Sequence, residues 1–386
     1  MNRENWQVKK LGEVCLIQRG GSPRPINEYI TDSEKGLNWI KIGDTTPNSR
    51  YITKTAEKIK PEGLSKTRLV HRGDFLLSNS MSFGRPYILE IDGCIHDGWL
   101  VIHDEKKVFD KNFLYYLLSS SVIKSKFELL AVGGVVNNLN SKMVRNLEIP
   151  IPPLPIQEAI VKELDSLHRL KELQEQQLTE YDNLAQCTFY SMFGDPIEND
   201  RDWEVRKMGE VAPVSSFKRK LRAIDNKYWL LNLDAVEQQS GEILFINIVD
   251  KKEINQSTVT FNEDNVLYSK LRPYLNKVVI PFTSGYCTSE LLPLSPNKEL
   301  LNRVFLALLL RSSAFVEYIQ EKTNGAKMPR VNMDEFREFN LIIPPLPLQS
   351  QFAERIEKIE AQKELVKQGI DQTQLLIDYT MDKYFN

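Results

Sequence analysis

Basic and amide side chains occur together in four short segments of the chain. They occupy residues 19–24 and 77–85 in the first half, and residues 216–222 and 268–272 in the second. Arginine can donate two parallel hydrogen bonds to guanine and asparagine can bond adenine, whereas lysine and serine mainly hold phosphate groups. The candidate nucleic-acid contacts are therefore Arg19, Ser22, Arg24, Ser78, Asn79, Ser80, Arg85, Lys218, Arg219, Lys220, Arg222, Lys270 and Arg272. The alternative is that they are ordinary polar residues of surface loops.

The overall charge does not favour attraction of nucleic acid through bulk positive charge. The formal net charge is −2 and the isoelectric point is about 6.2. The 50 lysine and arginine residues can still be arranged on one face, and a partner subunit can neutralise part of the phosphate charge. Composition therefore leaves DNA binding open.

Length and composition predict a folded protein with more than one domain. The chain has 386 residues, of which 41% are hydrophobic and 26% are charged. This is more chain than one ordinary core accommodates, and the balance is typical of globular domains. No run is apolar enough to span a bilayer and the first residues do not resemble a signal peptide, so we expect a cytoplasmic protein.

The motifs that an enzymatic site would need are missing from the sequence. Residues 20–23 read Gly-Gly-Ser-Pro and lead into further prolines, which is incompatible with a phosphate-binding loop that opens a helix. The only Pro-Pro pairs lie in Ile-Pro-Pro-Leu-Pro connectors, not in the Asn-Pro-Pro-Tyr-like loop of an amino-methyltransferase. The four histidines are confined to the first half, and the four cysteines lack zinc-site spacing. We expect no catalytic residue and no metal site here, although a nuclease site built from scattered carboxylates stays open as an alternative.

An internal repeat is the most informative feature of the sequence. Residues 6–14, Trp-Gln-Val-Lys-Lys-Leu-Gly-Glu-Val, return as residues 203–211, Trp-Glu-Val-Arg-Lys-Met-Gly-Glu-Val. Ile-Pro-Pro-Leu-Pro-x-Gln at 151–157 returns at 343–349. Between these anchors, Arg-Pro-Tyr at 85–87 matches 272–274, and Cys94 and Phe113 match Cys287 and Phe305. Because the order is kept, we interpret the chain as a duplication.

A long helix is predicted after each proline run. Prolines remove backbone donors and disfavour a helix in the preceding residue, so an extended connector should precede it. Apolar residues then recur every three or four positions, at Ile160, Leu164, Leu167, Leu178, Tyr181 and Ala185 in the first half and at Phe352, Ile356, Ile359, Val366, Ile370 and Ile377 in the second. Polar Lys171, Gln174, Lys363 and Thr373 interrupt the stripe.

Such a narrow stripe needs a partner helix, as in a coiled coil. At about 1.5 Å per residue, a helix over residues 156–193 would be roughly 55 Å long. If a pseudo-two-fold axis relates the halves, the two helices run antiparallel with one globular region at each end. The alternative is that each helix only covers its own globular region.

The globular regions predict an α+β fold. Strand-like runs occur at residues 74–78, 87–91 and 244–248, and one helix is expected near the end of each region, at 113–130 and 303–320. The predicted division is a globular domain at 1–150, a helix at 151–195, a second domain at 196–342 and a second helix at 343–386.

At this level of detail the chain resembles the specificity (HsdS) subunit of type I restriction-modification systems. The resemblance rests on two copies of the Trp-x-x-x-x-Leu/Met-Gly-Glu-Val opening, a glycine-to-asparagine stretch ending at Asn140 and Asn332, the proline junction and a long helix. It covers nearly the whole chain. The junction departs from the usual Pro-Pro-Leu-x-Glu-Gln, because Ile156 and Leu348 precede the glutamine.

The resemblance implies a non-catalytic subunit with two target recognition domains, each reading half of a bipartite site in double-stranded DNA. It also implies an antiparallel coiled coil that sets the gap between half-sites. The implied partners are two adenine-N6 methyltransferase subunits and ATP-dependent restriction subunits. S-adenosylmethionine, ATP and Mg²⁺ are then expected in those partners, with no cofactor in this chain.

Three other functions stay open on the sequence alone. The chain could serve a modification-only or phage-defence methyltransferase, in the same class of DNA-binding scaffold. It could be a nuclease with an unrecognised carboxylate site. It could also be a structural coiled-coil protein that does not contact nucleic acid, which the acidic isoelectric point would suit.

Overall fold

A computed structural model describes residues 6–46, 49–79, 84–131, 139–214, 221, 227–325 and 327–386. The chain divides into two compact units. Unit 1 comprises Met1–Leu173 and Ile370–Asn386, and unit 2 comprises Gln174–Gly369. Each unit therefore contains one globular region and parts of both long helices.

Unit 1 is a mixture of short strands and helices. Its strands are β1 Gln7–Lys10, β2 Leu16–Arg19, β3 Leu37–Ile40, β4 Tyr51–Ile52, β5 Glu57–Ile59, β6 Arg68–Val70, β7 Phe75–Ser78, β8 Pro86–Leu89, β9 Gly93–Ile95, β10 Trp99–His103 and β11 Glu148–Ile151. Its helices are α1 Leu11–Val14, α2 Lys111–Ser119, α3 Ser121–Ala131, α4 Ser141–Arg145 and the first part of α5 Leu154–Phe193. The sheets have the strand orders β2-β10-β7-β8-β4, β5-β3-β9-β6 and β1-β11.

Unit 2 repeats most, but not all, of this element order. Its strands are β12 Glu204–Lys207, β13 Lys227–Leu231, β14 Ile248–Asp250, β15 Val259–Phe261, β16 Val266–Ser269, β17 Val278–Val279, β18 Gly285–Cys287, β19 Leu291–Leu294, β20 Thr323–Asn324, β21 Arg330–Val331 and β22 Asn340–Ile343. Its helices are α6 Met208–Val211, α7 Arg303–Arg311, α8 Ser313–Glu321, α9 Met333–Glu338 and most of α10 Leu346–Phe385. The sheets are β14-β13-β18-β15, β17-β16-β19, β12-β22 and β20-β21. The α+β class and the duplication are thus confirmed.

The two long helices run antiparallel within each unit. In unit 1, Glu163 accepts a hydrogen bond from Tyr384, and Lys171 Nζ donates to Gln374 Oε1 at 2.7 Å. As the α5 number rises by eight, the α10 number falls by ten. Unit 2 shows the same direction, because Lys363 Nζ lies 2.7 Å from Asp182 Oδ1 while the rings of Phe193 and Phe352 are 5.2 Å apart.

The predicted stripe faces inward along both helices. Ile160, Leu164, Phe352, Ile356 and Ile359 are buried, and Leu167, Leu178, Val366 and Ile370 are half-buried. The buried members near the helix ends also belong to the hydrophobic cores of their units. Each helix therefore both pairs with the other helix and covers its own globular region.

Both long helices begin inside the proline run, not beyond it as the sequence suggested. Leu154 and Leu346 are the first helical residues, so Pro155 and Pro347 occupy the first turn. Proline is tolerated there because the first N–H groups of a helix have no acceptor within it. The preceding residues form the strands β11 and β22, which pair with β1 and β12.

The single helices predicted at 113–130 and 303–320 are each broken in two. Ser120 and Ser312 have extended backbone, with ψ angles of 150° and 144°. Each serine Oγ accepts a hydrogen bond from the backbone N–H three residues later, of Ile123 or Phe315, and so caps the next helix. The caps fall at the same point of both halves, so the break is part of the repeated fold.

The strand predicted at 244–248 is almost entirely absent from the described structure. Leu244, Phe245 and Ile246 are exposed, and strand β14 begins only at Ile248. The reason is that pairing with β13 starts where Ile248 lies opposite Trp229. An apolar run alone does not show where a partner strand begins.

Two of the sequence matches are out of structural register. Arg85 precedes strand β8, whereas Arg272 precedes a short 3-10 helix, Pro273–Leu275. Ser78 N donates to the Arg85 carbonyl and Ser269 N to the Lys277 carbonyl, so Lys277 is the counterpart of Arg85. Likewise, Gly93 and Gly285 occupy the same ladder position, which places Cys94 opposite Leu69 and Cys287 one step further along. The Phe113 and Phe305 match holds, because both lie at the same position of α2 and α7.

Among the described helices, none has the length and apolar character needed to cross a bilayer.

Candidate nucleic-acid interface

In unit 1, several of the predicted contact residues converge on Asp97, in the turn between β9 and β10. Ser22 Oγ donates to Asp97 Oδ1 at 2.8 Å, and the Arg24 guanidinium lies 3.7 Å from Asp97 Oδ2. Arg19 Nε and Asn79 Nδ2 both donate to the Asp97 backbone carbonyl, at 2.9 and 2.8 Å. The segments around residues 19–24 and 77–85, which are distant in sequence, thus meet at one turn.

The bond from Ser22 is the largest influence on the Asp97 carboxyl and lowers its pKa below the ordinary value. Asp97 is therefore an anion at neutral pH and can hold a nearby cation. A cavity of about 1200 Å³ opens beside it, lined by residues 22–27 together with Trp39, Lys41 and His96. This concave surface carries both charged groups and apolar walls.

The predicted residues of unit 1 differ in how they meet solvent. Arg19 and Arg85 are exposed, and the Arg24 side chain is 83% exposed. Ser78 and Asn79, in contrast, are only 1% and 2% exposed. Ser78 Oγ accepts from Arg85 N at 3.0 Å and Asn79 Nδ2 donates to the Asp97 carbonyl, so both side chains bond backbone groups and do not face solvent. Among the predicted residues that the structure describes in this unit, the arginines are the exposed ones.

In unit 2, Lys270 and Arg272 lie where three chain segments are joined by backbone hydrogen bonds. Lys270 N donates to the Glu290 carbonyl at 3.0 Å, and Arg272 N donates to the Pro329 carbonyl at 2.8 Å. Arg272 has a φ of +50°, in the left-handed region that side chains other than glycine rarely adopt. Its Nε is buried without a hydrogen-bond partner in the described part of the chain. Such strained and unsatisfied groups cluster at functional sites.

The other predicted contacts, Ser80, Lys218, Arg219, Lys220 and Arg222, lie outside the described residues.

Three residues of these sites were missed from the sequence. Asp97, Glu290 and Arg330 lie in the same places as the predicted cations, and the Arg330 guanidinium is 3.2 Å from Glu290. A search for cationic and amide side chains passes over the acids. Arg330 is separated from residue 272 by nearly sixty positions in the sequence, and pairing between the two segments, which includes the bridge between Leu271 and Arg330, brings it close.

A polar network in unit 1 attaches the globular region to α5. The Arg50 guanidinium donates to Asp165 Oδ1 at 2.9 Å, to Asn112 Oδ1 at 3.1 Å and to the Tyr116 hydroxyl at 2.9 Å. Tyr116 in turn donates to Asp165 at 2.6 Å. Burial is the main cause that raises the pKa of Tyr116, so its hydroxyl keeps the proton that it donates. The His168 ring stacks on Tyr116 at 5.6 Å.

The junction glutamine makes the same three hydrogen bonds in both halves. Gln157 is fully buried, accepts from Asp110 N at 2.9 Å and donates to the carbonyls of Val108 and Pro152 at 3.0 and 2.8 Å. Gln349 is equally buried and bonds the equivalent backbone atoms, Asn302 N and the carbonyls of Leu300 and Pro344, at 2.8, 2.9 and 2.8 Å. Both globular regions are therefore fixed to the start of a long helix in the same way.

The glycine-to-asparagine stretches end in helix caps. Asn140 Oδ1 accepts from Lys142 N and Met143 N, and Asn332 Oδ1 accepts from Asp334 N. These asparagines begin α4 and α9, which pack beside the opening motifs through Gly12 and Gly209. The glycines at 133 and 134 lie outside the described residues.

Comparison with known proteins agrees with this architecture. The family model described as "Type I restriction modification DNA specificity domain" matches the chain twice, at residues 3–181 and 200–374. The MjaVIII and MjaIX specificity subunits of type I restriction enzymes from Methanocaldococcus jannaschii are 21% and 20% identical to it. Each alignment covers 92% of this chain, with 86% and 87% of the respective relative.

A solved structure shows the same fold. The structure is described as "Structural basis underlying complex assembly and conformational transition of the type I R-M system". One of its chains superposes on this chain with a TM-score of 0.65 at 17% identity. The superposition covers 99% of this chain and 98% of that chain.

The chain belongs to the type I restriction-modification DNA specificity family. It is a specificity subunit with two DNA-recognition domains, one in each half. The matches do not favour a nuclease or a structural coiled coil without DNA contact.

Proposed function

We propose that this subunit reads a DNA target split into two half-sites, one for each recognition domain, and does no chemistry itself. The observation that supports this is the repetition of the whole attachment. Each recognition domain is joined to its helix by the same three bonds to a buried glutamine, and within each unit the two helices run antiparallel. A chain with two recognition domains, each attached to a long helix in the same way, suits a DNA target with two half-sites.

The exposed arginines suit the reading of base edges and phosphates. Arg19 and Arg24 in unit 1 and the cations around Lys270 in unit 2 are proposed to contact the duplex. Base contacts from arginine typically contribute specificity, whereas lysine contacts contribute mainly salt-dependent affinity. With a net charge of −2, the subunit would need help from its partners to neutralise the phosphates.

The proposed partners are two adenine-N6 DNA methyltransferase subunits and ATP-dependent restriction subunits. In this proposal S-adenosylmethionine binds to the methyltransferases, while ATP and Mg²⁺ serve the restriction subunits. The specificity subunit then recognises the DNA target and holds the other subunits together.

Methylome sequencing of cells with and without this gene tests the proposal. We expect one methylated adenine motif, made of two short sequences with an unspecified gap, to disappear when the gene is deleted. The purified chain should show no methylation, ATP hydrolysis or DNA cleavage. A continuous motif, an unchanged methylome or an activity of the chain alone would contradict it.

A further inference from the structure

Arg330 in unit 2 is held by a carboxylate on one edge of its guanidinium. Its Nε lies 3.3 Å from both carboxylate oxygens of Glu290, and its Nη2 lies 3.2 Å from Oε1. The Arg330 side chain is 47% exposed, whereas that of Glu290 is only 22% exposed. The acid is thus the less exposed member of the pair, and the arginine is the group at the surface.

Glu290 and Arg330 are both fixed through their backbones. Arg330 lies in strand β21, opposite Asn324 of β20, and forms a bridge with Leu271. Glu290 accepts a backbone hydrogen bond from Lys270, and Lys270 in turn accepts one from Val331 at 2.9 Å. The segments that carry Lys270, Glu290 and Arg330 are therefore joined by backbone hydrogen bonds, and the Arg330 guanidinium pairs with the Glu290 carboxylate.

The geometry of the pair leaves the other edge of the guanidinium available. The bonds to Glu290 use Nε and one hydrogen of Nη2, which is the side of the fork. A guanidinium carries five N–H donors in a fixed plane. The end of the fork, formed by Nη1 and the second hydrogen of Nη2, matches the O6 and N7 acceptors of guanine.

An exposed ion pair would contribute little to stability. Orientation is the larger effect here, because an arginine held on one edge loses less conformational freedom when the other edge binds. The corresponding turn of unit 1 also carries an acid near an exposed arginine, Asp97 with Arg24 at 3.7 Å. The arginine comes from a different segment in each unit, so the two units place an acid–arginine pair at the corresponding turn in different ways.

We propose that Arg330 reads a guanine in the half-site of the second recognition domain and that Glu290 is its positioning residue. This rests on the proposed function, because it names a base contact within the split target.

The experiment uses the complete complex with its methyltransferase subunits and the target found by methylome sequencing. Binding is measured on duplexes with every single base-pair change, at two salt concentrations, for Arg330→Ala, Arg330→Lys and Glu290→Gln. Arg337→Ala is the matched control, because Arg337 is similarly exposed and pairs with Asp334 at 3.0 Å on helix α9. Thermal melting of each variant checks that it folds.

We expect Arg330→Ala to abolish the preference for guanine at one base pair of one half-site, and Arg330→Lys to weaken it, because lysine lacks the planar fork that Glu290 orients. Affinity for the original target should fall roughly fivefold to a hundredfold, because a bidentate contact is lost. Arg330→Lys should keep the salt dependence, since the charge remains. Glu290→Gln should weaken the same preference with the charge of Arg330 intact, and Arg337→Ala should change nothing.

Base preferences in Arg330→Lys that equal the wild type would overturn the inference. So would an equal loss on all sequences in Arg330→Ala with a shallower salt dependence, which is the signature of a phosphate contact. Failure of the proposed function looks different, because the wild-type complex itself would then show no sequence preference.

Discussion

Arg50 joins unit 1 to its long helix through side chains that only the first half of the chain carries. Its partners are Asn112, Tyr116 and Asp165. The positions 192 residues later are Val304, Leu308 and Glu357, so the second half has no equivalent of this network. The two recognition domains therefore share the glutamine junction but differ in the contacts that surround it.

We expect Arg50→Ala to lower the free energy of unfolding by about 2 kcal/mol, because it removes three hydrogen bonds from a partly buried network. Denaturant unfolding of the full chain measures this. Arg72→Ala is the control, since the side chain of Arg72 is 72% exposed and lies 3.6 Å from Glu90. That change should cost less than about 0.5 kcal/mol. An equal effect of the two variants would show that the network adds no stability.

Ser120 and Ser312 cap the helices that follow them, α3 and α8. Ser312 is fully buried, and its Oγ accepts from Phe315 N. We expect Ser312→Ala to destabilise the chain by about 1–2 kcal/mol, because α8 loses its cap. Ser350→Ala is the matched control, since Ser350 lies exposed within α10 and bonds only the Leu346 carbonyl of its own helix. If both variants unfold at the same denaturant concentration, the cap is unimportant.

The long helices could be predicted from the sequence, but several shorter features could not. The three-four stripe of Ile160 and Leu164 depends on one helix alone, and a local pattern is sufficient to show it. The break at Ser120 was missed because serine also occurs within helices. Arg330 was missed because its neighbour Glu290 is forty residues away in the sequence, and pairing between distant strands is not a local property.

The predicted contact residues also differ in solvent exposure, and the cause is again a property of the fold that the local sequence does not show. Arg24 and Asn79 belong to similar polar segments, yet Arg24 is exposed and Asn79 is 2% exposed. Strand geometry decides this, because Asn79 directly follows strand β7 and bonds the turn before β10. Composition indicated the polar segments but could not separate their exposed side chains from their buried ones.

At the scale of the whole molecule, the proposed split target allows the effect of helix length to be measured as the gap between the two half-sites. Each long helix has 40 residues, which corresponds to about 60 Å. Gln174 on α5 faces Gly369 on α10, where a Cβ would lie 2.9 Å from Gln174 Nε2. Insertions beside these two positions would add equal lengths to both helices.

We expect one heptad inserted beside both Gln174 and Gly369 to preserve the two half-site sequences and to lengthen the gap by roughly three base pairs. Seven residues add about 10 Å of helix, and each base pair occupies about 3.4 Å of the duplex. The readout is the methylome of the variant. The control is the same insertion in α5 alone, which leaves part of the α5 stripe without matching residues on α10 and should reduce methylation. A gap that ignores helix length would show that the helices do not set it.

The bonds of Gln157 have a consequence for how new specificities can arise. In the described structure its side-chain hydrogen bonds go to main-chain atoms, the N–H of Asp110 and the carbonyls of Val108 and Pro152. Every amino acid except proline offers the same N–H, and all offer the same carbonyl. A foreign domain therefore forms these three bonds if its backbone turns in the same way, whereas contacts such as that between Arg50 and Asp165 still depend on its side chains. The Gln157 junction does not depend on which DNA sequence the domain recognises. The specificity of the molecule can therefore change without a change in this junction.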